Sequence, residues 1–324
     1  MSKAIRYDQP GGPEVMKWVD VDPGTPQAGE VLVKHHAVGL NYIDVYFRTG
    51  LYPQPLPGGL GMEAAGEVVA VGPGVSALAV GDRVAYTGGP PGSYAEARVQ
   101  PADKLVKLPD AISYEDAASI MLQGLTAHYL LRRTYPVKAG DTIVIHAAAG
   151  GVGLLVCQWA KALGATVIGT VGSDEKAELA KAHGADHTIV YTRENFTERV
   201  KAITNGAGVP VVYDSIGKDT YLGSLDCLAP LGLFVSFGNA SGPLPPIDSK
   251  EFSSRGSLFF TRPTLFSYVA RREDLERNAA ELFEVITSGK VKTNVRQRHA
   301  LADVADAHRE LEARRTTGST ILLP

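Results

Sequence analysis

Residues 147–153, Ala-Ala-Ala-Gly-Gly-Val-Gly, follow a β-branched run that predicts a strand, Thr142 to Ala147, and open a segment with helical spacing, Val152 to Gly164. A dinucleotide diphosphate binds at a helix N-terminus, because unpaired backbone N–H groups and the helix dipole favour negative charge there. Glycine is needed where the backbone comes closest to the phosphates, since a Cβ would hold them away. The stretch therefore predicts a dinucleotide-binding turn; an ordinary strand–helix turn is the alternative.

The chain continues from this turn as alternating strands and helices. Ala165 to Val171 and His187 to Tyr191 are strand-like, and Asp174 to Gly184 is helix-like and ends on glycine. Strands that alternate with helices of about 10–15 residues predict a parallel, doubly wound α/β sheet with helices on both faces. We assign residues 125–263 to this domain.

The two ends of the chain have a different pattern. Glu30 to Leu40 and Glu67 to Gly72 are short strand-like runs separated by Gly/Pro-rich turns, which indicates a β-rich module. The C-terminal tail contains a long helix-like stretch, Arg272 to Ser288, then a short helix and a terminal strand. Because this tail is too short to fold alone, we predict one domain made of residues 1–124 and 264–324.

The composition excludes several classes of protein. The chain has 324 residues, 44% of them apolar, which suits about two domains. A net charge of −3 offers no basic surface for nucleic acid, and no apolar run reaches the roughly 18 residues that span a bilayer. The N-terminal segment lacks the apolar core of a signal peptide, and two cysteines cannot form a disulfide framework. We expect a soluble, cytoplasmic protein.

The end of the second predicted strand favours NADPH over NADH. An NAD site places a carboxylate roughly 20 residues past the glycine turn, where it accepts from the ribose 2′-hydroxyl. Here that position holds Thr170-Val171-Gly172-Ser173, with Lys176 just beyond. A small polar residue beside a lysine suits a 2′-phosphate. Asp174 and Glu175 are interpreted as first-turn acids of the next helix, and a solvated helix residue is the alternative for Lys176.

Several motifs carry a family resemblance. Around the glycine turn, Gly140 to Lys161 resembles the signature of the quinone oxidoreductase / zeta-crystallin group of the medium-chain dehydrogenase/reductases. The likeness to bacterial NADPH:quinone reductases covers essentially the whole chain, through GLNYIDVYFRTGLYP, LGMEAAGEV, GSYAE, GLTAHYLL, VYDSIG, VSFGNASG and FTRPTL. The resemblance implies a GroES-like catalytic domain, formed by both chain ends, with an inserted Rossmann domain. It also implies NADPH as the cofactor.

The zinc alcohol dehydrogenases of the same superfamily provide a contrast. Their catalytic metal is held by cysteines and by the histidine of a Gly-His-Glu triplet. In this sequence Asn41 stands at the position of the first cysteine, and the triplet reads Gly61-Met62-Glu63. Methionine cannot replace the imidazole ligand, and neither Cys157 nor Cys227 lies near these segments. We predict that the protein binds no zinc.

Without a metal to polarise a ketone or an alcohol, the enzyme needs an acceptor that is already electrophilic. A quinone meets this requirement, and we predict NADPH-dependent reduction of quinones by hydride transfer from the nicotinamide. An α,β-unsaturated carbonyl is the alternative acceptor. Some relatives serve as lens structural proteins or bind AU-rich RNA, which gives a third reading, although the acidic net charge makes nucleic acid an unexpected partner.

The resemblance also implies the site residues. It places Asn41, Tyr46 and Tyr52 in the substrate cleft beside the nicotinamide, with Arg262 reaching the same cleft. The alternative for the two tyrosines is that they only pack against neighbouring residues. The implied cofactor contacts are Asn41, Thr126, Gly150, Gly151, Val152, Gly172, Ser173, Lys176, Tyr191, Ser215, Phe237, Gly238, Asn239, Phe260, Arg262, Pro263 and Arg314. Arg315 is the alternative to Arg314, because the alignment can shift by one residue.

The apolar segment Gly256 to Thr261 is predicted to be a strand near the edge of the sheet. Edge strands are normally paired or protected. The family pairs Rossmann sheets across a two-fold axis, so we predict a homodimer through this segment. Burial within the monomer is the alternative.

Overall fold

The computed structural model describes residues 2–324. The strands are β1 (Ser2–Tyr7), β2 (Lys17–Val21), β3 (Glu30–Leu40), β4 (Gly58–Gly59), β5 (Glu63–Val71), β6 (Arg83–Thr87), β7 (Ala97–Pro101), β8 (Leu105–Lys107), β9 (Thr142–Ile145), β10 (Thr166–Val171), β11 (His187–Val190), β12 (Val209–Asp214), β13 (Leu228–Ser236), β14 (Phe259–Thr261), β15 (Val295–Ala300) and β16 (Ser319–Leu323).

The helices are α1 (Tyr42–Arg48), α2 (Tyr114–Tyr129), α3 (Gly151–Ala162), α4 (Asp174–Ala182), α5 (Phe196–Ile203), α6 (Tyr221–Asp226), α7 (Ser249–Ser254), α8 (Leu265–Tyr268), α9 (Arg272–Thr287) and α10 (Val304–Glu312). A π-helical turn, Leu130–Thr134, follows α2 directly.

The chain divides into two compact units. The first contains the described residues up to Leu125 together with Val269–Thr287 and Thr293–Pro324, and the second contains Thr126–Tyr268 and Ser288–Lys292. The domain boundaries at 124/125 and 263/264 stay a prediction.

The first unit is built on a mainly antiparallel sheet of seven strands. Their order is β15-β16-β3-β5-β6-β8, with β7 also paired to β3, and a small separate sheet has the order β2-β1-β4. The central strand β3 buries alternate residues, Val31 and Val33, before it becomes fully buried near Leu40. Its last residue is followed at once by Asn41 and α1, so the core sheet fixes the position of Asn41.

The second unit contains a parallel sheet of six strands in the order β11-β10-β9-β12-β13-β14. Relative to the first strand, this is the 3-2-1-4-5-6 order of dinucleotide-binding folds. The inner strands bury apolar residues on both faces of the sheet, because helices cover both faces; Val144, Ile168 and Val212 are fully buried. The doubly wound parallel sheet predicted from the alternating pattern is confirmed.

Two glycines end the helices that lead into β10 and β11. Gly164 and Gly184 have φ of +86° and +98°, a left-handed conformation that ends a helix at little cost only for glycine. Both helix ends were predicted from the sequence. None of the helices found in residues 2–324 has both the length and the apolar character that a bilayer crossing requires.

Candidate active site

The glycine turn lies at the carboxyl end of β9. The predicted strand was too long by two residues, because β9 ends at Ile145 and Ala147 turns the chain with φ +54°. The backbone N–H of Ala148 then donates to the carbonyl oxygen of Thr170 on β10, at 3.1 Å. The turn is therefore fixed to two neighbouring strands.

The turn has the properties that a diphosphate requires. Gly150 is the N-cap of α3, and no side chain caps this helix or places a carboxylate in its first turn. The first-turn N–H groups of an α-helix have no partner within the helix, so those of Gly151, Val152 and Gly153 are available as donors. A Cβ on Gly150 would meet only the carbonyl oxygen of Ala147, at 3.2 Å, and would otherwise occupy the space above these donors. The residues present therefore fit a bound diphosphate.

A buried polar network lies beneath the turn. The ring of His146 bonds Thr170 Oγ1 at 2.8 Å and Ser224 Oγ at 2.9 Å. Ser224 Oγ donates to Asp214 Oδ2 at 2.9 Å, at the end of β12. Burial lowers the pKa of His146, although the charge of Asp214 opposes this effect, so the ring is neutral. The network ties the ends of three strands together, and the sequence pattern did not reveal it.

Residues predicted to surround the 2′-phosphate come together at the ends of β10 and β11. Ser173 is the N-cap of α4, and its Oγ accepts from the backbone N–H of Lys176 at 3.3 Å. A Cβ on Gly172 would lie 3.0 Å from the hydroxyl of Tyr191, so these two residues are in contact. Arg193, which lies outside the motifs of the sequence, forms a two-point ion pair with Asp174 at 2.6 and 2.5 Å. This pair neutralises the acid next to Ser173.

Later strands of the same sheet bring further predicted residues together. A Cβ on Gly238 would lie 2.5 Å from the carbonyl oxygen of Ser215, so the loops after β12 and β13 touch. Tyr129 is buried beside Tyr268, with stacked rings 4.5 Å apart. Burial raises the pKa of Tyr129, while the charge of Arg262 and a hydrogen bond with Thr126 oppose this. Tyr129 thus links two predicted site residues, and no local sequence pattern indicates this contact.

In the first unit, Asn41 and the two predicted tyrosines lie on or beside α1. Asn41 precedes α1, Tyr46 lies on it, and Tyr52 lies in the bend that follows. The backbone N–H of Tyr52 donates to the carbonyl oxygen of Tyr46 at 3.0 Å, and their rings are 5.2 Å apart in an edge-on arrangement. Asn41 and Tyr46 are buried, whereas Tyr52 is half-buried.

Asn41 belongs to a buried hydrogen-bonded chain. Its Nδ2 donates to Glu63 Oε1 at 2.7 Å, and its Oδ1 accepts from Gln123 Nε2 at 3.0 Å. The side-chain oxygen of Gln123, Oε1, accepts from the hydroxyl of Ser319 on β16, at 2.6 Å. Burial raises the pKa of Glu63 to about 8, although hydrogen bonds from Asn41 and Leu122 lower it and the charge of Asp44 raises it.

A second buried chain fixes the other end of α1. Tyr94 donates to Asp44 Oδ2 at 2.8 Å, and its hydroxyl lies 3.1 Å from His308 Nε2. His308 Nδ1 lies 3.1 Å from Arg48 Nη1, which is ion-paired with Glu312. Burial, with the charge of Arg48, lowers the pKa of His308 to about 3. A neutral ring therefore accepts from Arg48 and donates to Tyr94.

The buried carboxyl of Asp44 gives a stability prediction. Burial raises its pKa from 3.8 to about 7, against hydrogen bonds from Asn41 and Tyr94, so the folded protein favours the protonated form. This contribution to stability is complete below pH 4 and is lost as the pH rises through 7. Asp44→Asn removes the ionisation. Between pH 4 and 8 its free energy of unfolding should therefore rise relative to the parent protein, by up to about 4 kcal/mol.

Urea unfolding of both proteins at several pH values measures this difference. Asp110→Asn, at an exposed carboxyl, serves as the control and should give a pH-independent difference. A pH-independent difference for Asp44→Asn as well would mean that Asp44 ionises normally in the folded protein.

The predicted residues fall into two groups. Asn41, Tyr46, Tyr52 and Arg314 belong to the first unit, and the other predicted site residues belong to the second. Arg314 has φ +58°, and its charge acts on Tyr42, whose pKa burial raises. Within residues 2–324, no group of three or more His, Cys, Asp or Glu side chains is placed to hold a metal ion.

Two family models match the chain. One describes an alcohol dehydrogenase GroES-like domain and matches residues 27–110; the other describes a zinc-binding dehydrogenase and matches residues 151–284. With the β-rich first unit and the 3-2-1-4-5-6 sheet, they define the class of the protein, a medium-chain dehydrogenase/reductase. The predicted GroES-like and Rossmann folds are confirmed.

Similar proteins identify the family within this class. A quinone oxidoreductase of Pseudomonas aeruginosa is 57% identical, over 100% of both chains. A 2-haloacrylate reductase of a Burkholderia species is 45% identical, over 100% of this chain and 99% of its own. The solved structure of Escherichia coli quinone oxidoreductase complexed with NADPH is 49% identical, covers 99% of this chain and 100% of its own, and has a TM-score of 0.98. The chain belongs to the quinone oxidoreductase family, as the motifs predicted.

Proposed function

We propose that this protein is an NADPH-dependent quinone reductase that needs no metal. The observation that carries the proposal is the glycine turn at Gly150, which leaves the N–H groups of the first turn of α3 open to an anion. When bound, NADPH supplies the hydride for the reduction. The relatives named quinone oxidoreductase, and the one solved with NADPH, support this assignment.

We propose that three sets of residues, most of them from the second unit, contact the cofactor. Gly150, Gly151 and Val152 bind the diphosphate. Gly172, Ser173, Lys176 and Tyr191 surround the 2′-phosphate, with Arg314 as a further cation. The remaining proposed contacts are Asn41, Thr126, Ser215, Phe237, Gly238, Asn239, Phe260, Arg262 and Pro263.

We propose that Asn41, Tyr46, Tyr52 and Arg262 act at the acceptor. A quinone oxygen gains negative charge as the ring is reduced, and a fixed N–H or O–H donor stabilises that charge. Asn41 is suited to this task, because Glu63 and Gln123 hold its amide while one Nδ2 hydrogen remains uncommitted to them. Tyr46 and Tyr52 form a packed aromatic pair that can position a flat ring and exclude water.

Steady-state oxidation of NADPH against a panel of benzoquinones and naphthoquinones tests the proposal. We expect turnover with NADPH, much weaker turnover with NADH, and no loss of activity after incubation with a metal chelator. Turnover that disappears with the chelator would contradict the metal-free mechanism, and the absence of turnover with every quinone would contradict the assignment.

A second candidate acceptor is an electrophilic alkene. The similarity to a 2-haloacrylate reductase, at 45% identity over the full chain, favours its inclusion. Both acceptors accumulate negative charge on an oxygen conjugated to the reacting carbon, so the same donor would serve both. Adding 2-chloroacrylate and simple enals to the panel decides between them by the ratio of kcat/KM.

We also propose a homodimer through β14, in the cytoplasm. Among residues 2–324, β14 pairs only with β13, and Phe259 and Phe260 on it are 58% and 38% exposed. An open apolar edge strand suits pairing with a second copy. Both cysteines are free and buried, which is consistent with a reducing compartment.

Phe259→Asp tests the dimer. We expect this variant to be monomeric at micromolar concentration, because a two-fold interface would bury two carboxylates. Light scattering coupled to gel filtration measures the mass, and Val80→Asp, at another exposed apolar residue, should leave it unchanged. A parent protein that is already monomeric, or a dimer that tolerates Phe259→Asp, would contradict the proposed interface.

A further inference from the structure

We propose that Glu63 is a positioning residue: it orients the side-chain amide of Asn41 so that Nδ2–H, and not Oδ1, faces the acceptor oxygen. This inference rests on the proposed function, since the acceptor is placed beside Asn41 there. Glu63 itself touches neither substrate nor cofactor in this proposal.

The carboxyl of Glu63 is fully buried, and both of its oxygens accept hydrogen bonds. Oε1 accepts from Asn41 Nδ2, and Oε2 accepts from the backbone N–H of Leu122 on α2. The backbone N–H of Leu122 can only donate, so one oxygen of residue 63 must always face it. The chemistry of the second atom at residue 63 then decides which end of the Asn41 amide faces it.

The orientation of the Asn41 amide determines the orientation of every later side chain in this buried series of hydrogen bonds. Because an ionised carboxylate only accepts, Asn41 must present Nδ2 to Glu63 and Oδ1 to Gln123. Gln123 must then present Nε2 to Asn41 and Oε1 to Ser319, which donates. All four side chains are buried, so no solvent can replace a mismatched partner. The direction of the chain is therefore set by Glu63.

The backbone makes room for this carboxyl. A Cβ on Gly39 would overlap Glu63 Oε1 and the carbonyl oxygen of Ala118. Gly39 has an ordinary extended conformation within β3, so the left-handed region does not explain its presence. The glycine fits instead as the residue that lets a carboxyl lie between β3 and α2.

Glu63→Gln reverses the donors and acceptors of the buried hydrogen bonds without changing the shape of the side chains. The amide oxygen of the new side chain must face Leu122 N–H, which leaves its NH2 group facing Asn41. Asn41 then turns Oδ1 towards residue 63, Gln123 turns over as well, and Ser319 accepts from Gln123. Ser319 can still donate to the carbonyl oxygen of Ser119, which lies 3.4 Å away. Every hydrogen bond is kept, but Asn41 now presents an oxygen where it had presented a donor.

The key experiment is an exchange of the two side chains, Glu63→Gln with Gln123→Glu. In this double variant the carboxylate at position 123 accepts from Asn41 Nδ2 and from Ser319, so the reversed chain is fully satisfied and one buried carboxyl is retained. At pH 9, above the pKa of about 8 that burial gives Glu63, we expect a thermal midpoint close to that of the parent protein and a kcat reduced by about 100-fold, as for the loss of one oxyanion donor. Glu63→Gln alone should reduce kcat to the same extent.

A direct readout of the amide is available without turnover. In the parent protein labelled with ¹⁵N-asparagine and held at pH 9, nuclear Overhauser effects should place the Asn41 NH2 protons near Gly39, and in both variants near residue 123. Glu67→Gln, on the same strand, should change neither the NMR contacts nor kcat. The inference is overturned if the exchanged variant regains the parent kcat, or if the amide contacts do not move.

Protonation of Glu63 gives an independent check. A protonated carboxyl has one accepting and one donating oxygen, as a glutamine side chain does, so it also favours the reversed chain. Since burial raises the pKa of Glu63 to about 8, kcat should increase as the pH rises through 8 and Glu63→Gln should lack this increase. Asp44 on α1 and Tyr94 are the ionisable groups coupled to Glu63, and Asp44→Asn should keep the increase.

Failure of the proposed function is distinguishable from failure of this inference. If none of the acceptors in the panel supports oxidation of NADPH by the parent protein, the proposed function fails. The NMR contacts still report whether Glu63 sets the orientation of the Asn41 amide. If the parent protein is active and Glu63→Gln has the same kcat at pH 9, where Glu63 is ionised, the proposed function stands and the positioning role is wrong.

Discussion

Gly150→Val is expected to weaken NADPH binding by at least 100-fold while leaving the fold intact. The backbone of Gly150, at φ −80° and ψ 176°, is open to any residue, so valine introduces no strain there. Its Cβ would press only on the carbonyl oxygen of Ala147, at 3.2 Å, but its methyl groups would fill the space above the N–H donors of α3. Titration of NADPH by its fluorescence measures the loss.

Gly12→Val is the matched control for this change. Gly12 begins a short 3₁₀ turn in the first unit with nearly the same backbone, φ −71° and ψ 179°, and a Cβ there would meet only the flexible side chain of Glu14. It should bind NADPH like the parent protein. Gly153→Val is unsuitable, because its Cβ would overlap Ala147 and disturb the packing of α3. If Gly150→Val kept the parent affinity, the diphosphate would not lie on this turn.

Ser173→Asp is expected to reverse the cofactor preference. Aspartate is as good an N-cap as serine, so α4 should keep its start, but the new carboxylate lies where we propose the 2′-phosphate. The charge repels a phosphate and can accept from a ribose 2′-hydroxyl. We expect the Kd for NADPH to increase by about 100-fold and that for NADH to decrease, as measured by isothermal titration calorimetry.

Ser173→Asn separates charge from size. Asparagine has the shape of aspartate and also caps helices, but it carries no charge. It should change the NADPH affinity by a few-fold at most. Equal losses of NADPH affinity in the two variants would mean that side-chain size, and not charge, matters at this position. If Ser173→Asp kept its preference for NADPH over NADH, the 2′-phosphate would not bind at this end of β10.

The elements that could be predicted are those with a local physical cause. The strand and helix periods specified β9 to β11 with α3 and α4, and the closing glycines specified where those helices end. The first-turn acids Asp174 and Glu175 were also predicted correctly, because a helix N-terminus favours negative charge. Each of these features depends on neighbours within a few residues along the chain.

The buried polar networks could not be predicted, because their members are distant in sequence. His146 and Ser224 are 78 positions apart, and Gln123 and Ser319 are 196 apart. Nothing in the local pattern around Glu63 distinguishes a buried carboxyl from a surface one, and the Gly-Met-Glu triplet indicates only that a histidine ligand is absent. The contact of Tyr129 with Thr126 and Arg262 was missed for the same reason.

A crystal structure of the protein grown with NADPH tests the central claim most directly. We predict density for the diphosphate against the N–H groups of Gly151, Val152 and Gly153, with the 2′-phosphate beside Ser173 and Lys176. A dinucleotide bound anywhere else on the chain, or a diphosphate held away from this turn, would contradict the account.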